Sequence, residues 1–221
     1  MKLLNQLRKA QKELKNEGVK LKELANILTE TRKIAASRFS EELMSEAKHL
    51  GMQNIKFSVV MSQGKMGFDG QDNVEFISTF NKNQEMQPIS KVASGGEMSR
   101  IMLCVKSIVG SKMQMPTIIF DEIDTGVSGR AALKVASKLK QVSCGKQVLC
   151  VTHLGQLMAY ADSHYLIEKA ARDGKTYTSV TLLDMAGRKG EIARITGGGT
   201  VTDIQLANAE QMIMDARSEA I

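Results

Sequence analysis

Tryptophan is absent from the sequence, and proline and cysteine are rare, with two and three residues among 221. Aromatic residues make up 4% of the chain, too few for a surface that stacks the bases of single-stranded DNA. The odd number of scattered cysteines gives no disulfide framework, which favours reduced thiols in a cytoplasmic protein. No apolar run approaches the ~20 residues that cross a bilayer, and Lys2 and Arg8 interrupt the start of the chain. Neither a membrane span nor a secretory signal is therefore predicted.

The charge of the chain is +6 at pH 7, and the basic excess is densest near the start. Residues 1–50 contain 11 basic and 7 acidic side chains, whereas residues 51–221 contain 19 and 17. A basic excess of this kind favours a phosphate backbone or an acidic partner. A mildly basic, solvated helix accounts for the same numbers, so charge alone leaves both interpretations open.

Residues 1–50 are predicted to form a helical arm because they contain no proline and a single glycine, Gly18. Leu7, Leu14, Leu21 and Leu28 recur every seven residues with charged residues between them, a pattern typical of a coiled-coil seam. An amphipathic helix packed on the rest of the protein fits nearly as well over so short a stretch. A coiled coil would need a second, partner helix, and no second copy of the pattern occurs in the chain.

Residues 51–221 alternate between strand and helix patterns, which predicts an α/β domain. Strands are expected at 54–61, 73–80, 117–120, 147–151, 164–168 and 176–183, with glycines marking a turn region between the first two. Helices are expected at about 96–109, 129–140, 154–161, 188–195 and 202–218.

The first segment that could bind a ligand is Ser94, Gly95, Gly96 and Glu97, at the start of a predicted helix. Two glycines leave backbone N–H groups uncovered at a helix N-terminus, where the helix dipole favours an anion such as a phosphate. The Ser94 hydroxyl can donate a further hydrogen bond. The same residues also suit an ordinary N-cap and loop, so the pattern alone does not decide between them.

The second segment is an apolar strand, Thr117–Phe120, that is followed directly by Asp121 and Glu122. This order places two carboxylates at the carboxyl edge of a sheet, where α/β proteins bind ligands. One carboxylate can hold Mg²⁺, and its neighbour can orient or deprotonate a water. A solvated strand end is the alternative, although two adjacent acids repel one another without a cation nearby.

The third segment is His153, which directly follows the next predicted buried strand. At the carboxyl edge of that strand, its imidazole could contact the same phosphate as the acids. A single histidine can equally serve the structure alone.

In this order, the three segments resemble the signature motif, the Walker B strand and the H-loop of ABC-type ATPase heads. Three stretches resemble the RecN family of bacterial DNA repair proteins, which are relatives of the SMC proteins. Their sequences are those of Lys91–Arg100, Phe120–Arg130 and Val151–Leu154. The resemblance covers essentially the whole chain, including the helical start and Gly197–Gly199. It implies an α/β C-terminal lobe of an ABC/SMC-type P-loop ATPase head, residues 51–221, with the end of a coiled-coil arm, residues 1–50.

The resemblance also implies a role for each matching residue. Ser94–Glu97 would contact the γ-phosphate and sugar side of an ATP bound to a second head. Asp121 would hold Mg²⁺, Glu122 would be the general base, and His153 would sense or stabilise the γ-phosphate. Many ABC proteins carry an aspartate where this chain has Ser128, so the role of that aspartate is not carried over. Ser128 is expected to cap the following helix instead.

An ATPase of this type also needs the phosphate loop Gly-x-x-x-x-Gly-Lys-Ser/Thr, which the sequence lacks. Gly174-Lys175-Thr176 has the right ending, but Lys169 stands where the first glycine is required, and Asp173-Gly174 is typical of a hairpin turn. In the RecN family the loop lies near the N-terminus of the whole protein. The expected partners are therefore the N-terminal half of the same protein, a second head in a homodimer, and DNA. The expected location is the cytoplasm, in association with the nucleoid.

Three other interpretations compete with this one. A non-catalytic scaffold could keep such a lobe only for dimerisation, but the intact Asp121, Glu122 and His153 favour an ATPase. Another SMC-like ABC ATPase would share Asp-Glu-Ile-Asp. A transporter ATPase domain would need no heptad arm and usually has proline where this chain has Ile123.

Overall fold

The structure is a computed structural model that describes residues 1–92, 95–110, 115–172, 175–199 and 201–219. The chain separates into two compact units. Unit 1 consists of Met1–Ser45 and Asn54–Val92, and unit 2 consists of Glu46–Gln53 and Ala93–Ile221. In the described segments, no helix is both long and apolar enough to cross a membrane.

The chain begins with one continuous helix, α1, from Lys2 to His49. Its surface carries ion pairs three or four residues apart, such as Lys33 with Glu30 at 2.7 Å and Arg38 with Glu42 at 2.8 Å. Such exposed pairs stabilise a helix slightly. Leu7, Leu14 and Leu21 of the predicted seam are each at least half exposed.

In unit 1, the hairpin of β1 (Lys56–Gly67) and β2 (Gly70–Thr79) follows α1, with β3 (Gln87–Pro88) on the edge and the short α2 (Ile89–Val92) after it. The strands are longer than predicted, because the pairing continues past Met61 through an irregularity to Gly67. The turn therefore consists of two residues, 68 and 69, rather than a broad glycine-rich region.

The hairpin is attached to α1 by a polar cluster and an aromatic cluster. The Asp72 carboxylate accepts hydrogen bonds from the Thr29 hydroxyl at 2.6 Å and from Arg32 Nη1 at 2.9 Å. These contacts, with Thr29 the larger cause, hold the pKa of Asp72 below its ordinary value. Phe39 of α1 meets Phe57 with the ring centroids 6.0 Å apart at a steep angle. The helix and hairpin of unit 1 thus share a small core.

Unit 2 contains the predicted alternation of helix and strand beyond residue 93. Its elements, in chain order, are α3 (Gly95–Val109), β4 (Thr117–Phe120), α4 (Gly129–Val142), β5 (Gln147–Cys150), α5 (Gly155–Tyr160), β6 (Tyr165–Arg172), β7 (Lys175–Leu182), α6 (Met185–Gly197) and α7 (Asp203–Glu219).

Two pairs of strands organise unit 2. β4 and β5 are parallel and in register from Thr117 opposite Gln147 to Phe120 opposite Cys150. β6 and β7 form an antiparallel hairpin, and the predicted turn at Asp173-Gly174 lies outside the described residues. Since parallel neighbours end at the same edge of a sheet, β4 and β5 direct the following loops to one place.

The last helices enclose an apolar cluster around a buried arginine. Ile192, Ala193 and Ile213 belong to this cluster with residues of α5 and α7. The buried Arg188 donates from Nη2 to the carbonyl oxygens of Met158 and Ala159, both at 2.8 Å. Burial, and then the charge of Arg217, lowers the pKa of Arg188. Arg188 therefore supplies hydrogen bonds to carbonyl groups near the end of α5, where few helical N–H groups are available to them.

Candidate functional site

The candidate site lies where β4 and β5 end side by side. The loop after β4, residues 121–128, is called the β4 loop, and the loop after β5, residues 151–154, the β5 loop. The Val151 N–H donates to the Phe120 carbonyl at 3.0 Å, so the pairing of the strands continues to the first residue of the β5 loop. The predicted acids and the predicted histidine therefore follow neighbouring strand ends.

Asp121 and Glu122 open the β4 loop, and both residues are exposed. The Glu122 N–H donates to Asp121 Oδ1 at 3.0 Å, and the Ser99 hydroxyl of α3 donates to the Asp121 carbonyl at 2.7 Å. Glu122 has a φ of 56°, in the left-handed region that residues other than glycine rarely adopt. Such conformations cluster at functional sites, where surrounding contacts hold them.

Gly95 and Gly96 bring the start of α3 directly against the β4 loop. A Cβ on Gly95 would overlap the Glu122 carboxylate oxygen Oε2, and one on Gly96 would lie 2.6 Å from the Thr125 carbonyl oxygen. Gly96 is therefore needed for this close approach, whereas a side chain at Gly95 would only displace the flexible end of Glu122. Glu97 lies in the first turn of α3, while Ser94 lies outside the described residues.

Arg100 of α3 is a second connection to the β4 loop, and the sequence analysis gave it no role. Its side chain is buried, and Nη1 donates to the Thr125 carbonyl at 2.7 Å. Burial lowers the pKa of Arg100, and the charge of Glu97 opposes this effect. A buried guanidinium that donates to loop carbonyls fixes the loop relative to the helix.

Asp124 is the other residue that the sequence analysis missed, and it joins the β4 loop to the β5 loop. Its Oδ2 atom accepts hydrogen bonds from the Thr152 hydroxyl at 2.6 Å and from the His153 backbone N–H at 2.9 Å. His153 Nδ1 lies 3.1 Å from the same oxygen. The sequence signal that could have identified Asp124 is its position as a third acid close behind Asp121 and Glu122.

Ser128 ends the β4 loop without the capping bond that was expected of it. It occupies the N-cap position of α4 with an extended backbone, but its side chain makes no capping hydrogen bond. The prediction that Ser128 caps this helix through its side chain is wrong.

The structure thus brings Gly95, Gly96, Asp121 and Glu122 into one contact network and connects His153 to it through Asp124. No group of three or more His, Cys, Asp or Glu side chains that could hold a metal ion occurs in the described part of the chain. This arrangement fits Mg²⁺, which is held through one or two carboxylates together with waters and substrate phosphates. The glycine-lined start of α3 fits an anionic ligand.

In fold, the chain is similar to the crystal structure of the Smc head domain with a coiled coil and joint from Pyrococcus yayanosii. The TM-score is 0.55 at 20% identity, and the match covers 86% of this chain and 36% of that chain. The predicted fold class is confirmed to this extent: the chain combines a long N-terminal helix with a mixed helix-and-strand fold that resembles an SMC head domain.

In sequence, the chain is similar to proteins named DNA repair protein RecN. It is 40% identical to the protein from Haemophilus influenzae over 191 residues, which cover 86% of this chain and 34% of that protein. It is 38% identical to the protein from Bacillus subtilis over 226 aligned positions, covering 95% of this chain and 39% of that protein. No family model matches the chain. The chain is thus similar to one part of these RecN proteins and spans roughly a third of their length.

Proposed function

We propose that this chain supplies the metal-binding and water-activating side of an ATP-hydrolysing head in a RecN-type DNA repair protein. The observation that carries the proposal is the convergence of three segments at the ends of β4 and β5. Polar contacts of 2.6–3.1 Å connect α3 to the β4 loop and the β4 loop to the β5 loop, which carries the histidine. The names of the relatives supply the DNA repair context.

In this proposal, Asp121, Glu122 and His153 each have one task. Asp121 would hold Mg²⁺, which when bound would neutralise charge on the phosphates of ATP. Glu122 would accept a proton from the attacking water, as a general base does. His153, with 74% of its side chain exposed, would contact the γ-phosphate. Exposure of these three groups supports the assignment, because each must reach a ligand.

The proposal also assigns partners. The phosphate loop that this sequence lacks would come from the N-terminal half of the same protein. Ser94–Glu97 would act across a homodimer interface on the ATP of the second head. Residues 51–221 would form the lobe and residues 1–50 the arm, in a nucleoid-associated, cytoplasmic protein.

The arm would pair with a second helix of the protein, and the basic excess would contribute to DNA contact. Exposure of Leu7, Leu14 and Leu21 supports the pairing, since a helix with an exposed apolar seam gains stability by covering it. Contact with DNA would be electrostatic and therefore weaker at high salt.

Replacement of Glu122 by glutamine tests the proposal in the protein assembled from this chain and its N-terminal half. Loss of a general base is expected to lower kcat by about 10²–10⁴-fold and to leave an ATP-dependent dimer trapped. Glu85, an exposed glutamate of unit 1, provides the control, and Glu85→Gln should hydrolyse ATP as the wild type does. Normal turnover by Glu122→Gln would contradict the proposal and favour a scaffold that only dimerises.

A further inference from the structure

The Asp124 carboxylate is buried, whereas the side chain that it contacts reaches the surface. The Asp124 side chain is 3% exposed and that of His153 is 74% exposed. Three donors converge on the single oxygen Oδ2: the Thr152 hydroxyl, the His153 N–H and the His153 ring nitrogen Nδ1. In the described part of the chain, no lysine or arginine forms an ion pair with Asp124. Its hydrogen-bonding capacity at Oδ2 is thus directed to the β5 loop.

The chemistry of the contact determines which nitrogen of His153 carries the hydrogen. An ionised carboxylate can only accept hydrogen bonds, so the ring nitrogen beside it must be a donor. In a neutral imidazole, a hydrogen on Nδ1 leaves Nε2 without one. The partner of one ring nitrogen therefore fixes the state of the other.

We propose that Asp124 is a positioning residue that holds His153 in the Nδ1–H form, with Nε2 as the nitrogen presented to a ligand. This inference rests on the proposed function for its purpose, because it sets which atom of His153 would face the phosphate. Asp124 itself does not touch the reacting atoms. It acts through His153, and through Thr152 it also holds the backbone of the β5 loop.

The Thr152 hydroxyl provides a way to separate positioning of the ring from support of the loop. It donates to Asp124 Oδ2 and accepts from the Leu154 N–H at 3.0 Å. Thr152→Val removes these loop contacts but keeps the carboxylate next to Nδ1. A role in loop structure alone predicts that Thr152→Val and Asp124→Ala have the same effect on the ring. A positioning role predicts that only Asp124→Ala changes it.

Nitrogen-15 NMR of the histidine rings in the 221-residue chain is the experiment. Spectra are recorded at about pH 8.5, two units above the ordinary imidazole pKa, and the two ring-nitrogen signals then report which nitrogen carries the hydrogen. The chain has three histidines, so a His153→Gln spectrum assigns the signal, and His49 and His164 serve as internal references.

The wild type and Thr152→Val are expected to show His153 with the hydrogen on Nδ1. Asp124→Asn, which keeps an acceptor oxygen, should retain this form, whereas Asp124→Ala should shift the population to Nε2–H. A wild-type His153 with the hydrogen on Nε2, or an unchanged form in Asp124→Ala, would overturn the inference. If Asp124→Ala does not fold, the wild-type spectrum still shows whether His153 carries its hydrogen on Nδ1, as the inference requires.

Turnover of the protein assembled with its N-terminal half provides the functional measurement. Asp124→Ala is expected to lower kcat by about 10–100-fold, the usual effect of losing the partner that orients a functional histidine, and Asp124→Asn to lower it less. Since the NMR measurement needs no nucleotide, failure of the ATPase proposal leaves the ring assignment standing. Conversely, the wrong ring form overturns the positioning role even if ATP is hydrolysed.

Discussion

At the start of α3, the absence of a side chain at Gly96 allows the helix to contact the β4 loop. A Cβ at this position would lie 2.6 Å from the Thr125 carbonyl oxygen and 2.8 Å from the Thr125 Cβ, and backbone atoms cannot move aside cheaply. We therefore expect Gly96→Ala to lower the free energy of unfolding of unit 2 by about 1–3 kcal/mol, as overpacking does. Urea denaturation followed by circular dichroism measures the change.

Gly190 in α6 provides the matched control, because a Cβ added there meets nothing within 4 Å. Gly190→Ala is expected to raise the free energy of unfolding by up to about 1 kcal/mol, since alanine is the better helix former. Equal effects of the two substitutions would contradict the close approach of α3 to the β4 loop.

At the scale of elements, Asp72 connects the β1–β2 hairpin to α1, and this connection predicts a pH dependence. Hydrogen bonds from Thr29 and Arg32 lower the pKa of Asp72 in the folded protein. A carboxyl with a lowered folded pKa stabilises the fold above its ordinary pKa of about 4, and this stabilisation is lost as the pH falls through the folded value. Asp72→Asn should therefore be less stable than the wild type at pH 7, and the difference should shrink below about pH 4.

Denaturation of both proteins between pH 7 and pH 2.5 measures this difference. Asp69, exposed in the turn of the same hairpin, provides the control, and Asp69→Asn should leave the stability nearly unchanged. Wild-type and Asp72→Asn curves that stay parallel over the whole range would show that the carboxylate contributes nothing through its charge.

Some secondary-structure elements could be predicted from the sequence and others could not. β4 was predicted with its exact bounds, and β5 to within one residue, because short apolar runs between polar residues are a local signal. The roles of Asp124 and Arg100 were not predictable in this way. Asp124 contacts Thr152, 28 residues away, only because β4 and β5 pair in parallel. The two-residue β3 was also missed, since its pairing with β2 has no periodic pattern.

The features of the candidate site also divide into those with a local sequence signal and those without one. Acids after a strand are a local feature, and they predicted that Asp121 and Glu122 follow the carboxyl end of a strand. Glycines before a helix predicted Gly95 and Gly96 at a helix start, but no local feature predicted that this start lies against the β4 loop. The left-handed backbone of Glu122 and the burial of Asp124 arise from contacts between segments, so no local pattern reported them.

At the scale of the whole molecule, we propose that this chain forms one side of a nucleotide site. The sequence carries acids and a histidine at strand ends but no phosphate loop, and the chain spans about a third of its curated relatives. The apolar positions of α1 that stay exposed fit a protein whose arm is completed by another segment.

ATP hydrolysis by the chain alone and by the chain co-expressed with its N-terminal half tests this central claim most directly. The account predicts no measurable turnover by the isolated 221-residue chain and DNA-stimulated turnover by the assembled protein. Robust hydrolysis by the isolated chain, or none by a properly assembled protein, would contradict it.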